Sequence, residues 1–274
     1  MSSELRQIET IAREAGEIAL RFYGNVVAEY KDGDSPVTAA DRAANKYIVE
    51  ALSEAFPEDA ILSEESHDSL DRLSANRVWI VDPLDGTKEF MAQNGEFCVM
   101  IGLAEMGAPI MGVVYAPAQD VLYSAMQSAG AWVERDGVRD ALFCPPINGE
   151  SLRLVTSRSH GDPLITKMQE ALEITDVQIC GSVGLKCALI AEGARDLYIH
   201  PVPYLKEWDT CAPEIILREA GGTVTDCTGM PLRYNKAAPL QPRGILAGAP
   251  GVQGMVLNSL KSVFLRTNAQ YVTA

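Results

Sequence analysis

Two aspartates three residues apart, Asp82 and Asp85, flank Pro83-Leu84 and lead into Gly86-Thr87, directly after the apolar run 78–81. Acids at the end of a buried strand are rarely left without partners, and candidates exist in Glu64-Glu65 and Trp208-Asp209. An all-oxygen set of this kind suits a hard cation such as magnesium. Two-metal hydrolysis of a phosphoester needs carboxylates that bridge and flank ions about 3.5–4 Å apart, clamping the attacking and leaving oxygens. Pro83 fixes its own φ and restricts Asp82, so the turn can hold both acids convergent, with the Leu84 carbonyl as a further oxygen donor. Gly86 permits close backbone approach, and 87–90 can open a helical turn whose free N–H groups, with the Thr87 hydroxyl, face an anion.

Each piece also has a plain structural reading. Pro-x-Asp-Gly marks a turn about as well as a site, Glu64-Glu65 is at home as a solvated pair, and Asp209 serves equally as a helix N-cap. Only their conjunction favours chemistry.

The elements that must present these residues follow from periodicity. Leu5, Ile8, Ile11, Ala12, Ala15, Ile18, Ala19 and Phe22 recur at helical spacing up to Gly24, a C-cap position. A second helix is expected from Thr38 as N-cap to Pro57, with Asp41 in its first turn. Short apolar runs at 60–63, 78–81, 97–104, 109–115, 121–125 and 131–133 predict a largely antiparallel sheet. After the linker-like 144–149, strands at 152–156, 177–180, 196–200, 223–226 and 244–247 alternate with helices at 163–172, 185–194 and 210–220. That alternation predicts an α/β arrangement, so the chain reads as an α+β half over 1–148 and a smaller α/β half over 149–274.

Composition narrows the class further. The 274 residues are 47% hydrophobic and 22% charged, the profile of an ordinary globular protein. No segment approaches the roughly 18–20 uncharged apolar residues of a membrane helix, and the first residues lack signal features, so a cytoplasmic location is the default expectation. Six scattered cysteines without a Cys-x-x-Cys pair argue against a zinc site or a disulfide framework. The net charge of −14 opposes nucleic acid polymers and anionic membranes. A phosphate-bearing substrate must then be small and locally neutralised, as bound divalent cations would do. Apolar helical stripes fit a core and a homodimer equally.

The ordered set Glu64-Glu65, Asp82-Pro83-Leu84-Asp85-Gly86-Thr87 and Trp208-Asp209 resembles the motifs of the inositol monophosphatase superfamily of magnesium-dependent, lithium-sensitive phosphatases. Lys88-Glu89-Phe90 and Trp208-Asp209-Thr210-Cys211-Ala212-Pro213-Glu214 resemble its 3′(2′),5′-bisphosphate nucleotidase branch. The resemblance implies a layered α-β-α-β-α sandwich of the inositol monophosphatase and fructose-1,6-bisphosphatase type. It also implies that Glu64, Asp82 and the Leu84 carbonyl bind one magnesium, that Asp82, Asp85 and Asp209 bind a second, and that a third, weaker ion shares Glu64. Thr87, held by Asp41 of Thr38-Ala39-Ala40-Asp41, would help activate the attacking water, which makes Asp41, Thr87 and Glu64 the expected catalytic group.

Substrate contacts are expected from Asp85, Gly86, Thr87 and Asp209 and, in the smaller half, from Ser157, His160, Ser182 and Lys186, where a helix start and a lysine would suit an anion. Tyr204, in Pro201-Val202-Pro203-Tyr204, has the right chemistry to stack on a base, although an aromatic in such a loop is more often packing. The chain departs from the nucleotidase pattern at Ser182-Val183 and Gly161-Asp162-Pro163. The implied reaction removes the 3′-phosphate of adenosine 3′,5′-bisphosphate, with inositol monophosphate, fructose 1,6-bisphosphate or histidinol phosphate as alternative substrates and lithium as inhibitor. A phosphoaspartate enzyme fits less well, because its usual motif spaces the acids two residues apart. A cation binder without catalysis is the alternative from another class.

Overall fold

The computed structural model describes residues 2–24, 29–30, 36–147, 151–158 and 163–267. Helix α1 (Ser3–Leu20) starts where the Ser2 hydroxyl accepts the Leu5 N–H and buries the stripe Leu5, Ile8, Ile11, Ala12, Ala15 and Ala19. A two-residue ladder, β1 (Glu29–Tyr30) and β2 (Pro36–Val37), precedes α2 (Ala39–Ala55). The second helix opens with a capping box in which Thr38 caps the backbone and Asp41 reaches back to the Thr38 N–H.

Seven strands form the larger sheet in the order of the chain: β3 (Ala60–Ser63), β4 (Arg77–Asp85), β5 (Cys98–Glu105), β6 (Ala108–Ala116), β7 (Val121–Met126), β8 (Gly130–Arg135) and β9 (Val138–Leu142). All neighbours run antiparallel except β3 and β4. A short helix, α3 (Thr87–Met91), follows β4. Trp79, Val81, Val99, Ile101, Leu103 and Val113 point from one sheet face into the core shared with α1 and α2. The alternate residues Val78, Ile80, Cys98, Met100 and Val114 point the other way, into a core that continues through the second half of the chain.

That second half contains β10 (Arg153–Thr156), α4 (Pro163–Ala171), β11 (Asp176–Ile179), α5 (Val183–Ala191), β12 (Leu197–His200), α6 (Glu207–Glu219), β13 (Thr223–Thr225), β14 (Ile245–Gly248) and α7 (Val252–Thr267). Its five-stranded sheet has the order β11-β10-β12-β14-β13, parallel through β11, β10 and β12 and antiparallel beyond. Helices α5 and α6 lie between the two sheets, while α4 and α7 pack together, α7 against β14 of the smaller sheet. The result is the expected five layers of helix, sheet, helix, sheet and helix. Helix α6 sits close on the larger sheet because Gly102 and Gly112, directly opposite each other on β5 and β6, present no side chain beneath Cys211, Ala212 and Ile215.

Several boundaries differ from the sequence expectation. Helix α1 ends at Leu20, and the turn 21–24 that carries Gly24 follows directly. Helix α6 begins at Glu207 rather than Thr210, because Asp209 at its third position caps the Lys206 N–H at 2.6 Å. Strand β9 and helix α7 lie outside the pattern read from sequence: β9 buries one side chain of five, whereas α7 buries Val252, Val256 and Leu260 at helical spacing. All six cysteines are buried free thiols.

Candidate active site

Asp82 and Asp85 are three residues apart, and in a regular strand that spacing would aim them at opposite faces. A bulge removes the conflict. Asp82 pairs with Met100 and Asp85 with Cys98, so two residues on β4 oppose one on β5, and the parity resets. Met100 and Cys98 share the face covered by α5 and α6, and both aspartates therefore point there. Glu64 joins them from the end of β3, where its N–H donates to the Val81 carbonyl and extends the parallel pairing by one residue. Asp209 arrives from the first turn of α6.

Each aspartate is oriented through one oxygen by an N–H. Asp82 Oδ1 accepts the Leu84 N–H at 3.0 Å. Asp85 Oδ2 accepts the Gly184 N–H at 3.0 Å and the Ser182 hydroxyl at the start of α5. Asp209 Oδ2 accepts the Lys206 N–H. Among the described residues none of the three forms an ion pair with lysine or arginine. Burial first, then the charges of Glu64, Asp85 and Asp209, push the Asp82 carboxyl well above its ordinary value. Burial and the Asp85 charge do the same to Asp209, against the opposing Lys206 N–H bond.

Asp41 and Thr87 form the adjoining group. Buried Asp41 receives the Thr38 N–H at 2.8 Å and the Thr38 hydroxyl at 2.5 Å on Oδ2, while the Thr87 hydroxyl lies 3.1 Å from Oδ1. The Leu84 carbonyl is 3.3 Å from the same hydroxyl. Gly86 between them holds φ +95°, and a Cβ there would meet the Glu96 carbonyl oxygen at 2.7 Å, so only glycine fits.

One cavity of about 310 Å³ is lined by Glu64, Asp82, Leu84, Asp85, Gly86, Thr87 and Asp209 and also by Ser157, Arg158 and Tyr204. As hard, oxygen-only donors with unneutralised charge, the carboxylates fit a divalent cation in kind. Among the described residues no group of three or more such side chains is already gathered to hold an ion, so closure on one requires the side chains to move.

The predicted substrate residues divide. Ser157 reaches the cavity, where the buried Tyr198 hydroxyl lies beside it without a well-formed hydrogen bond. His160 falls outside the described residues. Ser182 and Lys186 are fully buried beneath the wall. The Lys186 ammonium donates to the Gly181 carbonyl at 2.6 Å and lies 5.1 Å from the Tyr198 ring centre, so its charge is already engaged. Ser182 acts on Asp85 and on the α5 backbone.

Sequence reasoning passed over Glu96, whose Oε2 accepts from the Arg158 guanidinium at 2.8 Å and from the Gly181 N–H at 3.0 Å, tying two walls together. Nothing in its local sequence marks that role. It also passed over Lys88, Glu89 and His200 as cavity-lining groups.

The motif set, the five layers and the acid-lined cavity together define a class. The sequence pattern of the inositol monophosphatase family matches residues 1–263, and the chain belongs to that family, whose members are phosphoric monoester hydrolases. The 3′(2′),5′-bisphosphate nucleotidase CysQ of Salmonella typhimurium is 42% identical over 238 residues, 84% of this chain and 93% of the relative. The crystal structure of CysQ from Bacteroides thetaiotaomicron superimposes with a TM-score of 0.77 at 35% identity, covering 90% of this chain and 97% of that one. An inositol monophosphatase from Thermotoga maritima gives a TM-score of 0.82 at 27% identity, covering 97% and 99%. No helix among the described residues is long and apolar enough to cross a membrane.

Proposed function

We propose that the chain is a magnesium-dependent 3′(2′),5′-bisphosphate nucleotidase that hydrolyses the 3′-phosphate of adenosine 3′,5′-bisphosphate to AMP and phosphate. The observation that supports it most is the Thr87 hydroxyl, held from behind by buried Asp41, in one cavity with the Asp82, Asp85 and Asp209 carboxylates. Glu64, Asp82, Asp85, Asp209 and the Leu84 carbonyl would hold two to three magnesium ions. When bound, such ions neutralise phosphate oxygens and lower the pKa of water.

The chain's own residues supply position and a proton path. With its hydrogen donated to Asp41, the Thr87 oxygen keeps lone pairs free to accept a hydrogen bond from an attacking water. The Thr38 N–H and hydroxyl fix the Asp41 carboxylate, so Thr87 is held in that orientation before substrate arrives. Phosphoryl transfer asks little more of a protein than positioning and charge neutralisation, and no serine or cysteine nucleophile is needed. Kinship with enzymes named CysQ favours the nucleotide over other phosphomonoesters.

Phosphate release with magnesium should be fastest on adenosine 3′,5′-bisphosphate and slower on inositol 1-phosphate, fructose 1,6-bisphosphate and histidinol phosphate, with inhibition by millimolar lithium. Equal or better turnover of inositol 1-phosphate would refute the nucleotidase reading.

A further inference from the structure

Tyr204 is 71% exposed, yet it lines the same cavity as the carboxylates. The exposure does not come from a loosely attached loop. Pro201 is buried directly after β12, and Leu205 is buried on the other side of the tyrosine. The Leu205 carbonyl accepts the Gln241 N–H at 2.8 Å, and Lys206 bridges Leu240. Two prolines within four residues, one immediately before Tyr204, restrict the backbone further. The ring is thus held out from a fixed base, and among the described residues nothing bonds to it or stacks on it.

An uncovered aromatic side chain on a fixed backbone is suited to a flat apolar partner, because only its two side-chain torsions must be ordered when the contact forms. The cavity has the matching polarity. Its lining joins carboxylates and the Thr87 hydroxyl to the apolar surfaces of Tyr204, Leu205 and Val183, with the Tyr198 hydroxyl as a polar atom lacking a good partner. A ligand that carries both a phosphate and a heteroaromatic ring meets both kinds of lining.

We propose that Tyr204 is the platform on which the substrate's nucleobase stacks, and that it makes the enzyme prefer a nucleotide over a base-free phosphomonoester. The inference rests on the nucleotidase reading above and adds the residue that recognises the base. Stacking of a base on an aromatic residue is sequence-tolerant, so Tyr204 should favour nucleobases in general rather than adenine alone.

The test compares wild type, Y204A and Y204F on adenosine 3′,5′-bisphosphate and on its abasic analogue, 1,4-anhydro-D-ribitol 3,5-bisphosphate. Y204A should raise KM for the nucleotide roughly 5- to 150-fold, the range set by base–aromatic stacking, with kcat changed much less. KM for the abasic analogue should match wild type, and Y204F should behave as wild type on both. Normal wild-type turnover of the nucleotide with an unchanged KM in Y204A, or an equal loss on both substrates, would overturn the platform alone. A wild-type enzyme that fails to hydrolyse the nucleotide would overturn the nucleotidase reading and the platform together.

Discussion

Gly102→Ala should damage catalysis from beneath the site, without touching any residue in it. A Cβ at position 102 would lie 2.6 Å from the Cys211 sulfur and 2.9 Å from the Ala212 nitrogen. Relief to a non-bonded separation of about 3.5–4.0 Å requires α6 to rise by roughly 0.5–1 Å. Asp209 stands one turn or less from those atoms, so it moves with the helix. A misplacement of about 1 Å can cost about 100-fold in rate, and overpacking costs about 1–3 kcal/mol, or a fall of roughly 2–10 °C in Tm. Ser2→Ala is the control: it removes the α1 cap, costs about 1 kcal/mol, and lies far from the cavity in sequence and fold. Steady-state hydrolysis and thermal melts on both variants separate the effects. A 10- to 100-fold loss of kcat/KM is expected for Gly102→Ala only; wild-type kcat/KM in that variant would refute the claim that the glycine pair sets the height of Asp209.

Three further outcomes follow from the same geometry. Thr87→Ala should lower kcat by about 100-fold or more while Thr87→Ser keeps most of it, and steady-state kinetics showing full activity in the alanine variant would remove the hydroxyl from the reaction. Magnesium should stabilise the fold by mass action, by about 2.7 kcal/mol at a hundredfold excess over Kd, and so raise Tm; Asp82→Asn should raise the Tm of metal-free protein and abolish the response, and a metal-free Tm below wild type would contradict the crowding of charge at Asp82. The Arg72 hydrogen bonds hold the Asp68 carboxyl below its usual 3.8, so the pair's stabilisation is complete above that value and is lost as pH falls through the lower folded-state value. Asp68 is a quarter exposed, so Asp68→Asn should cost about 1–2 kcal/mol at neutral pH, and a pH series of melts should show the gap to wild type closing in acid.

What the sequence disclosed depended on whether a feature is local. The helical stripes of α1 and α2, the short strand runs and the order of the acidic motifs are written in residue spacing, and all of them could be read. The convergence of Asp82 and Asp85 could be suspected from Pro83, but its cause is a register shift against β5, which only the paired strand reveals. The start of α6 was misplaced because a cap built by Asp209 reaching back lets any residue, here Lys206, occupy the N-cap. Lys186 read as an anion donor because a lysine opening a helix is usually wet; its burial against two carbonyls and the Tyr198 ring is a tertiary fact. Tyr204 errs in the opposite direction, as an aromatic expected to pack that stands in the open.

The carboxylates show why such a site is built from backbone donors rather than salt bridges. A lysine or arginine against Asp82, Asp85 or Asp209 would stabilise the folded chain and also remove the negative charge a cation must find. One N–H bond on each side chain, joined at Asp85 by the Ser182 hydroxyl, orients it while leaving most of its charge and its second oxygen available. Two of those donors, the Gly184 and Lys206 amides, belong to the first turn of α5 and the residue capping α6, where orphan N–H groups exist without extra cost. The sandwiched helix layer therefore places the acids and leaves them reactive, at the expense of a buried repulsion that bound metal is expected to relieve.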